Sequence, residues 1–362
     1  MKAVILAGGQ GTRLRPLTIN TPKAMVPIAN MPFLECFLVY LRSHGVDEAI
    51  LALGHLPKAV AEYFGDGRRL GIRITPSIEE SPLGTAGAVA NAARFLDGPF
   101  LVFNGDVFTD IDLTEMISWH RNHRSVATLA LTKVENPSAY GVLDVTTDGR
   151  IRHFVEKPPA GQEPSNLINA GVYLLEREVL EWIPAGRFAM FERDVFPKML
   201  AADKELYGYR SDAYWIDIGT PASYLAVNQD VVSGKVSPGW LKLEERLEDD
   251  PLISGLVLGG QVVIGQGTIL GKGAAITGAS VIGRHCVIGP SAKMEGVVVW
   301  DGVKIGEGAV LKNCIIARDA CLGTRCYVPD GCVVGERVTI RDGQVLEPDT
   351  RVSTEVDGNS PV

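Results

Sequence analysis

Glycines and cations crowd together near the amino terminus as Gly8-Gly9-Gln10-Gly11-Thr12-Arg13-Leu14-Arg15-Pro16-Leu17-Thr18, followed by Thr21-Pro22-Lys23. Glycines let backbone N–H groups close around an anion without obstruction from Cβ, and Arg13, Arg15 and Lys23 supply the charge that a triphosphate demands. The loop is therefore a phosphate cradle. It is not a Walker A loop, since no Gly-Lys-Ser/Thr follows at the required spacing, and Leu14 stands where a dinucleotide fingerprint needs its last glycine. Two carboxylates follow apolar, β-prone runs: Asp106 in Asn104-Gly105-Asp106, after Phe100–Phe103, and Asp217 in Trp215-Ile216-Asp217-Ile218-Gly219. Each is expected at the carboxyl end of a strand, where taken singly it suits a cap or a solvated loop as well as a metal. Asp112 precedes a helical stretch and is expected to be its N-cap.

These segments resemble the signature of the sugar-1-phosphate nucleotidyltransferases, or NDP-sugar pyrophosphorylases, usually G-x-G-T-R-L-x-P-L-T and then P-K-P. The chain departs from it at Ala24, in place of proline, which loses loop rigidity but no charge. The resemblance implies transfer of a nucleoside monophosphate from a nucleoside triphosphate to a sugar 1-phosphate. It implies Arg13 and Lys23 as catalytic cations, and Leu6, Ala7, Gly8, Gly9, Gly11 and Thr12 around the nucleotide, with Gly84 and Thr85. Asp106 and Asp217 would hold Mg²⁺, which takes hard oxygen ligands and keeps several waters. The sugar phosphate would be held by Asn104 and by residues of three further segments: Gly141 in Tyr140-Gly141-Val142, Glu156 and Lys157 in Val155-Glu156-Lys157-Pro158, and Asn169 in Asn169-Ala170-Gly171-Val172-Tyr173. Outside this company Glu156-Lys157 would be a pair on a solvated turn.

Ser77-Ile78-Glu79-Glu80-Ser81-Pro82-Leu83-Gly84-Thr85-Ala86-Gly87 resembles the family's base-reading segment, where thymidylyl- and uridylyltransferases commonly present glutamine at the position of Glu79. A carboxylate only accepts hydrogen bonds, and guanine offers two adjacent donors, N1–H and the N2 amine. Thymine and uracil place one donor between two acceptors, which a carboxylate repels. The segment is most like that of GDP-mannose pyrophosphorylases with a hexapeptide tail, which implies GTP and mannose 1-phosphate. Thymidylyl, uridylyl or adenylyl transfer to glucose 1-phosphate are the alternatives. If backbone groups read the base instead, a helix from Thr85 to Ala93 would point its N-terminus at the nucleotide.

Two kinds of element must position these residues. Up to about residue 235, the apolar runs Ala3–Leu6, Ala49–Leu53, Ile72–Ile74, Phe100–Phe103 and Ala127–Leu131 alternate with helical stretches at Phe33–His44, Lys58–Phe64, Thr85–Phe95 and Leu113–Asn122. That alternation predicts an α/β, Rossmann-like domain with a largely parallel, mixed sheet, and ligands beyond the carboxyl ends of its strands. From about residue 260 apolar side chains recur at every sixth position: Ile264, Leu270, Ile276, Ile282, Ile288, Met294 and Trp300, then after a slip Val310, Ile316, Leu322, Val328, Val334, Ile340 and Leu346. Six is the period of a left-handed parallel β-helix of hexapeptide repeats. Glycines such as Gly265, Gly271, Gly283 and Gly289 follow the inward residue and suggest tight corners. The expected organisation is a nucleotidyltransferase domain over 1–233, a linker over 234–255 with a helical stretch at Leu241–Leu247, and the β-helix over 256–362.

With 362 residues, 35 Lys plus Arg and 43 Asp plus Glu, the chain suits two domains and has no basic field for nucleic acid. No stretch approaches a membrane span or a signal-peptide core. The six cysteines form no CxxC pair, which fits reduced thiols in a cytoplasm, with Cys314 and Cys332 stacked on adjacent coils of the β-helix. Solenoid flanks can bury surface between copies, so a homo-oligomer assembled through the β-helix is expected. Two rival functions fit the sequence less well. An acyltransferase would need a histidine base in the β-helix, and His285, beside Gly283, has the place of a solvated corner. A silent regulatory subunit would have lost signature residues, whereas Arg13, Lys23, Asp106, Lys157 and Asp217 are all present.

Overall fold

The computed structural model describes residues 1–236 and 257–354, so the expected helix at 241–247 and most of the expected linker lie outside the described residues. The chain forms two compact units: Met1–Gln10 with Phe37–Ile216, and Gly11–Cys36 with Asp217–Val362.

The first unit is built on a nine-stranded sheet. Its elements in chain order are β1 (Lys2–Leu6), α1 (Phe33–Ser43, which begins in the other unit), β2 (Glu48–Leu53), α2 (Pro57–Phe64), β3 (Arg73–Ile78), α3 (Gly84–Asn91), β4 (Phe100–Asn104), β5 (Val107–Thr109), α4 (Leu113–His123), β6 (Ala127–Lys133), β7 (Gly141–Val145), β8 (Ile151–Glu156), β9 (Leu167–Leu175), α5 (Phe196–Ala201), β10 (Leu206–Arg210) and β11 (Trp215–Asp217). The path through the sheet runs β8-β7-β9-β4-β1-β2-β3, with β6 on β9 and β10 on β6, while β5 and β11 pair separately. Strands β1 to β4 are mutually parallel, as the alternation of strand and helix predicts. Beyond β4 the sheet becomes mixed, because β9 runs against β4, β6 and β7 while β10 runs parallel to β6.

Strand β1 is central and apolar on both faces, with Ala3, Val4 and Ile5 buried, as a parallel strand covered on both sides must be. The chain proceeds from β1 to β2 and β3 on one flank, then crosses to β4 on the other, which makes β1 and β4 a topological switch point. Asp112 does cap α4, accepting the Glu115 N–H at 3.0 Å. Among the described residues no helix is long and apolar enough to cross a membrane.

In the second unit the hexads wind into three parallel sheets of five, six and five strands, forming the left-handed β-helix. Its core holds Ile264, Ile276, Ile282, Ile288 and Met294, then Val299, Ile305 and Leu311, then Ile316, Leu322, Val328, Val334, Ile340 and Leu346, with Leu270 packed against it. Trp300 and Val310 are therefore not the inward residues of their hexads. Two five-residue steps, Met294 to Val299 and Leu311 to Ile316, shift the register there, and Val299 pairs with Ile282 on the preceding coil. Trp300 is buried elsewhere, donating its indole N–H to the Tyr224 hydroxyl at 3.0 Å. Tyr224 belongs to α6 (Pro221–Val232), which packs on the coils; its hydroxyl in turn donates to the Pro27 carbonyl.

The hexad glycines also have a different cause from the expected tight corner. Gly283 and Gly289 lack positive φ; a Cβ there would lie 2.4 Å from the Trp300 carbonyl carbon and 2.6 Å from the Glu307 nitrogen, so close stacking of coils excludes a side chain. The left-handed corners fall instead at positions such as His285, Asn313 and Asp319. His285 is an exposed corner residue, not part of a catalytic cluster. Cys314 and Cys332 are both core thiols on adjacent coils, as Ile315 pairs with Val333.

Candidate active site

Each unit carries part of the residue set, and the chain passes between the units inside the signature itself, after Gln10, and again after Ile216. In the first unit, the carboxyl ends of β1 and β4 lie side by side, with Leu6 opposite Asn104. The backbone there is drawn tight. Gly105 N–H donates to the Leu6 carbonyl at 3.1 Å, and a Cβ on Gly105 would stand 2.4 Å from that oxygen. Ala7 N–H donates to Ala52 on β2, and Gly8 accepts from His55 N–H. Asp106 follows directly, half-buried. The Asn104 Oδ1 is buried and accepts no hydrogen bond among the described residues, while its amide packs on Gly171, held at a φ of 71° that only glycine adopts easily.

Glu79 extends from the end of β3 toward the same loop. Its Oε2 accepts the Leu83 N–H at 3.1 Å, and its Oε1 lies 3.1 Å from where a Cβ on Gly8 would be. Burial pushes its pKa above the ordinary glutamate range, partly offset by the Leu83 hydrogen bond. Gly84 opens α3 at a φ of 73°, with the Ala189 carbonyl 2.6 Å from its would-be Cβ. That carbonyl also accepts from Ala86 and Gly87, so two N–H groups of the α3 amino terminus are already used within the protein.

The third group of residues surrounds an irregularity in β9, whose register on β6 shifts between Asn169 and Tyr173. Such irregularities re-aim side chains beside sites. Asn169 donates to the Tyr173 hydroxyl at 2.7 Å and accepts from Gly171 N–H. The Tyr173 hydroxyl donates to Glu192 Oε1 at 3.1 Å, and the Thr85 hydroxyl donates to Glu192 Oε2 at 2.8 Å. Glu192 thus ties Thr85, expected beside the nucleotide, to Asn169, expected beside the sugar. Sequence reasoning missed it, because an acid within Phe191-Glu192-Arg193-Asp194-Val195-Phe196 gives no motif signal, and the segment is a π-helical turn that no periodicity announces. Glu156, at the end of β8, is half-buried. Its pKa is raised by burial and then by the Glu192 carboxylate, against the opposing pull of Lys157 and Arg193. Gly141 packs on it, a Cβ there falling 2.8 Å from Glu156 Oε2, and Lys157 adopts a left-handed φ of 49°.

The second unit carries Arg13 and Thr12 in a short 3₁₀ turn, Thr12–Leu14, entered through Gly11 at a φ of 63°. Gly11 is fixed by the Thr18 hydroxyl, which donates to its carbonyl at 2.7 Å, and Lys23 stands against it, with its Cβ 3.1 Å from a would-be Cβ on Gly11. Asp217 accepts the Gly219 N–H at 2.6 Å through Oδ1, and its Oδ2 lies 3.6 Å from Arg13 Nη2. A cation and a carboxylate of the expected set therefore meet within this unit.

The first unit places a glycine turn and Asp106 at the switch point of its sheet, the second unit carries Arg13, Lys23 and Asp217, and residues 2–234 match the nucleotidyl transferase family. The chain belongs to that family. Residues 250–346 match the EIF2B subunit epsilon LbH domain. The chain is 38% identical over 313 residues to a mannose-1-phosphate guanylyltransferase of Mycobacterium tuberculosis, covering 86% of this chain and 83% of the relative. It is 33% identical to a UTP–glucose-1-phosphate uridylyltransferase of Synechocystis, covering 89% and 88%. Among solved structures it is similar to HddC from Yersinia pseudotuberculosis complexed with GMP-PN, with a TM-score of 0.55 and 32% identity, covering 63% of this chain and 98% of the other. The protein is a nucleotidyltransferase acting on sugar 1-phosphates.

For this nucleotidyltransferase the closeness of Gly105 to Leu6 is a direct test of the strand-end geometry. Gly105→Ala must push the backbone apart, so urea denaturation should show a loss of about 1–3 kcal/mol and initial rates should fall. Native stability and rate together would exclude the close approach as a requirement.

Proposed function

We propose that this nucleotidyltransferase joins GTP to mannose 1-phosphate, releasing pyrophosphate and GDP-mannose. The observation that carries the choice of base is Glu79: a half-buried carboxylate held by Leu83 N–H with its second oxygen directed at Gly8, an acceptor suited to guanine's paired donors. The name of the Mycobacterium tuberculosis relative and the GMP-PN in the Yersinia pseudotuberculosis structure support it. The runner-up, uridylyl transfer to glucose 1-phosphate, is favoured by the Synechocystis relative. The catalytic domain is assigned to residues 1–233 and the β-helix to residues 256–362.

In the reaction a sugar phosphate oxygen attacks the α-phosphorus, a P–O bond forms, the α–β bridging P–O bond breaks and pyrophosphate departs. The nucleophile is already anionic, so no general base is required. Catalysis consists of positioning and charge neutralisation. Leu6–Gly9, Gly11 and Thr12 would present backbone groups to the nucleotide, with Gly84 and Thr85 beside it. Arg13 and Lys23 would offset the growing charge on the phosphates. Asn104, Gly141, Glu156, Lys157 and Asn169 would hold the sugar phosphate. Asp106 and Asp217 offer hard carboxylate oxygens that fit Mg²⁺, which takes few protein ligands. Bound there, it would polarise phosphoryl oxygens.

The exposed aliphatic pair Ile269 and Val287, matched across neighbouring coils and 64% and 41% accessible, supports self-association through that face of the β-helix.

Three measurements test these assignments. Lys23→Ala and Asp106→Asn should each lower kcat by about 100-fold or more with an unchanged melting temperature; near-native turnover refutes the assigned roles. A matrix of nucleoside triphosphates against sugar 1-phosphates, scored by pyrophosphate release, should favour GTP, and activity with dTTP or UTP alone would overturn the guanine assignment. Within the same assay, Glu79 must be ionised to accept from both of guanine's donors without presenting an O–H of its own. Its raised pKa therefore makes the KM for GTP climb as pH falls, from a higher pH than an ordinary carboxylate would set, and Glu79→Gln should flatten that rise. Light scattering of the full chain should find more than one copy per particle, and a monomer excludes assembly.

A further inference from the structure

The carboxyl-terminal coil of the β-helix is fastened to the signature loop at three points, all inside the second unit. Arg351 Nη1 donates to the Arg13 carbonyl and to the Arg15 carbonyl, each at 3.2 Å. The Thr21 hydroxyl donates to Glu336 Oε1 at 2.6 Å. Gly335 packs on the Pro16 ring, with 3.2 Å from a would-be Cβ to Pro16 Cβ. Arg351 opens the last described strand, Arg351–Val352, which pairs with Val333–Val334 one coil earlier, so its backbone is fixed by the solenoid and not by the loop.

The carbonyls it reaches are the ones the loop cannot serve itself. Within the loop, backbone N–H groups of Leu14, Arg15, Leu17 and Ile19 donate to the carbonyls of Gly11, Thr12, Leu14 and Pro16. The alternate carbonyls, Arg13 and Arg15, are taken by Arg351. A guanidinium carries its donors in a rigid fork, so one side chain fixes two peptide planes at once. The Arg13 guanidinium then emerges from a peptide held on its carbonyl side, 3.6 Å from Asp217. Arg351 also borders a groove of about 150 Å³ with Thr220 and Pro221, the residues that follow Asp217 into α6.

We propose that Arg351 is a positioning residue: held by the last coil of the β-helix, it clamps the backbone that carries Arg13 and so brings the β-helix into the transferase reaction. The proposal rests on Arg13 acting in phosphate chemistry. A small displacement of a charge-neutralising group lowers the rate of the chemical step while leaving ground-state binding by other contacts in place.

The test is a steady-state double-mutant cycle on the full chain with GTP and mannose 1-phosphate, or whichever pair of substrates proves active. Arg351→Ala should lower kcat by about tenfold with both KM values within about twofold of native. Arg351→Lys, which can serve one carbonyl, should recover most of the loss. In an Arg13→Ala background, removing Arg351 should change kcat by less than about twofold, because the group it positions is gone. Were Arg351→Ala to fold poorly, Arg351→Gln would carry the same comparison. A native kcat in Arg351→Ala beside an impaired Arg13→Ala overturns the proposal and leaves the role of Arg13 standing. An equal loss in both backgrounds reduces Arg351 to a general structural contact and overturns it too. Native turnover in Arg13→Ala removes the catalytic role of Arg13, and with it this proposal.

Discussion

Everything in the first unit depends on how β1 is sealed. Its side chains are buried on both faces and its backbone is paired on both edges, so the groups at its carboxyl end are the first with freedom to meet a ligand. Leu6 hydrogen-bonds Gly105 of the neighbouring strand end, Ala7 hydrogen-bonds Ala52, and the chain then leaves the sheet as Gly8-Gly9. Gly8 follows because the Gly54 backbone and the Glu79 carboxylate crowd the place of its Cβ, whereas a Cβ on Gly9 would meet open space. The conformation of this turn is thus a consequence of strand packing carried one step past the last ladder bond.

Carboxylates set the character of that unit. Glu79 and Glu156 are half-buried and shifted toward protonation, each chiefly by burial. Glu192 is more deeply buried, and it is satisfied by two hydroxyls, from Thr85 and Tyr173. A buried acid that accepts from two neutral donors is tolerable where an unpaired one is not. It couples the start of α3 to the irregular stretch of β9, joining residues assigned to different halves of the reaction. The second unit solves a different problem. Stacked coils supply a rigid edge, and the loop Gly11–Cys36 and helix α6 are laid on it through Tyr224, Trp300, Glu336 and Arg351. The loop buries Leu14, Leu17, Val26 and Ile28 and is tied down further by these contacts with the repeat structure.

The sequence by itself determined the parallel strands β1 to β4, the Asp112 cap and the presence of a solenoid, because each rests on local patterns of apolar runs, capping residues and a six-residue period, while the reaction class came from the resemblance of its glycine and cation segment to a family signature. It also placed Cys314 and Cys332 correctly on adjacent coils, since an 18-residue separation matches one turn of three hexads. Tertiary structure decided the rest. The β-helix core takes Val299 and Leu311 in place of Trp300 and Val310, because two shortened hexads are resolved by stacking against the previous coil and not by counting. The hexad glycines answer to the backbone of the next coil, a distance no single repeat reveals. Glu192 and Arg351 were invisible for the same reason: their partners lie 107 and 338 residues away in the chain, and an isolated acid or arginine carries no spacing to betray what it will touch.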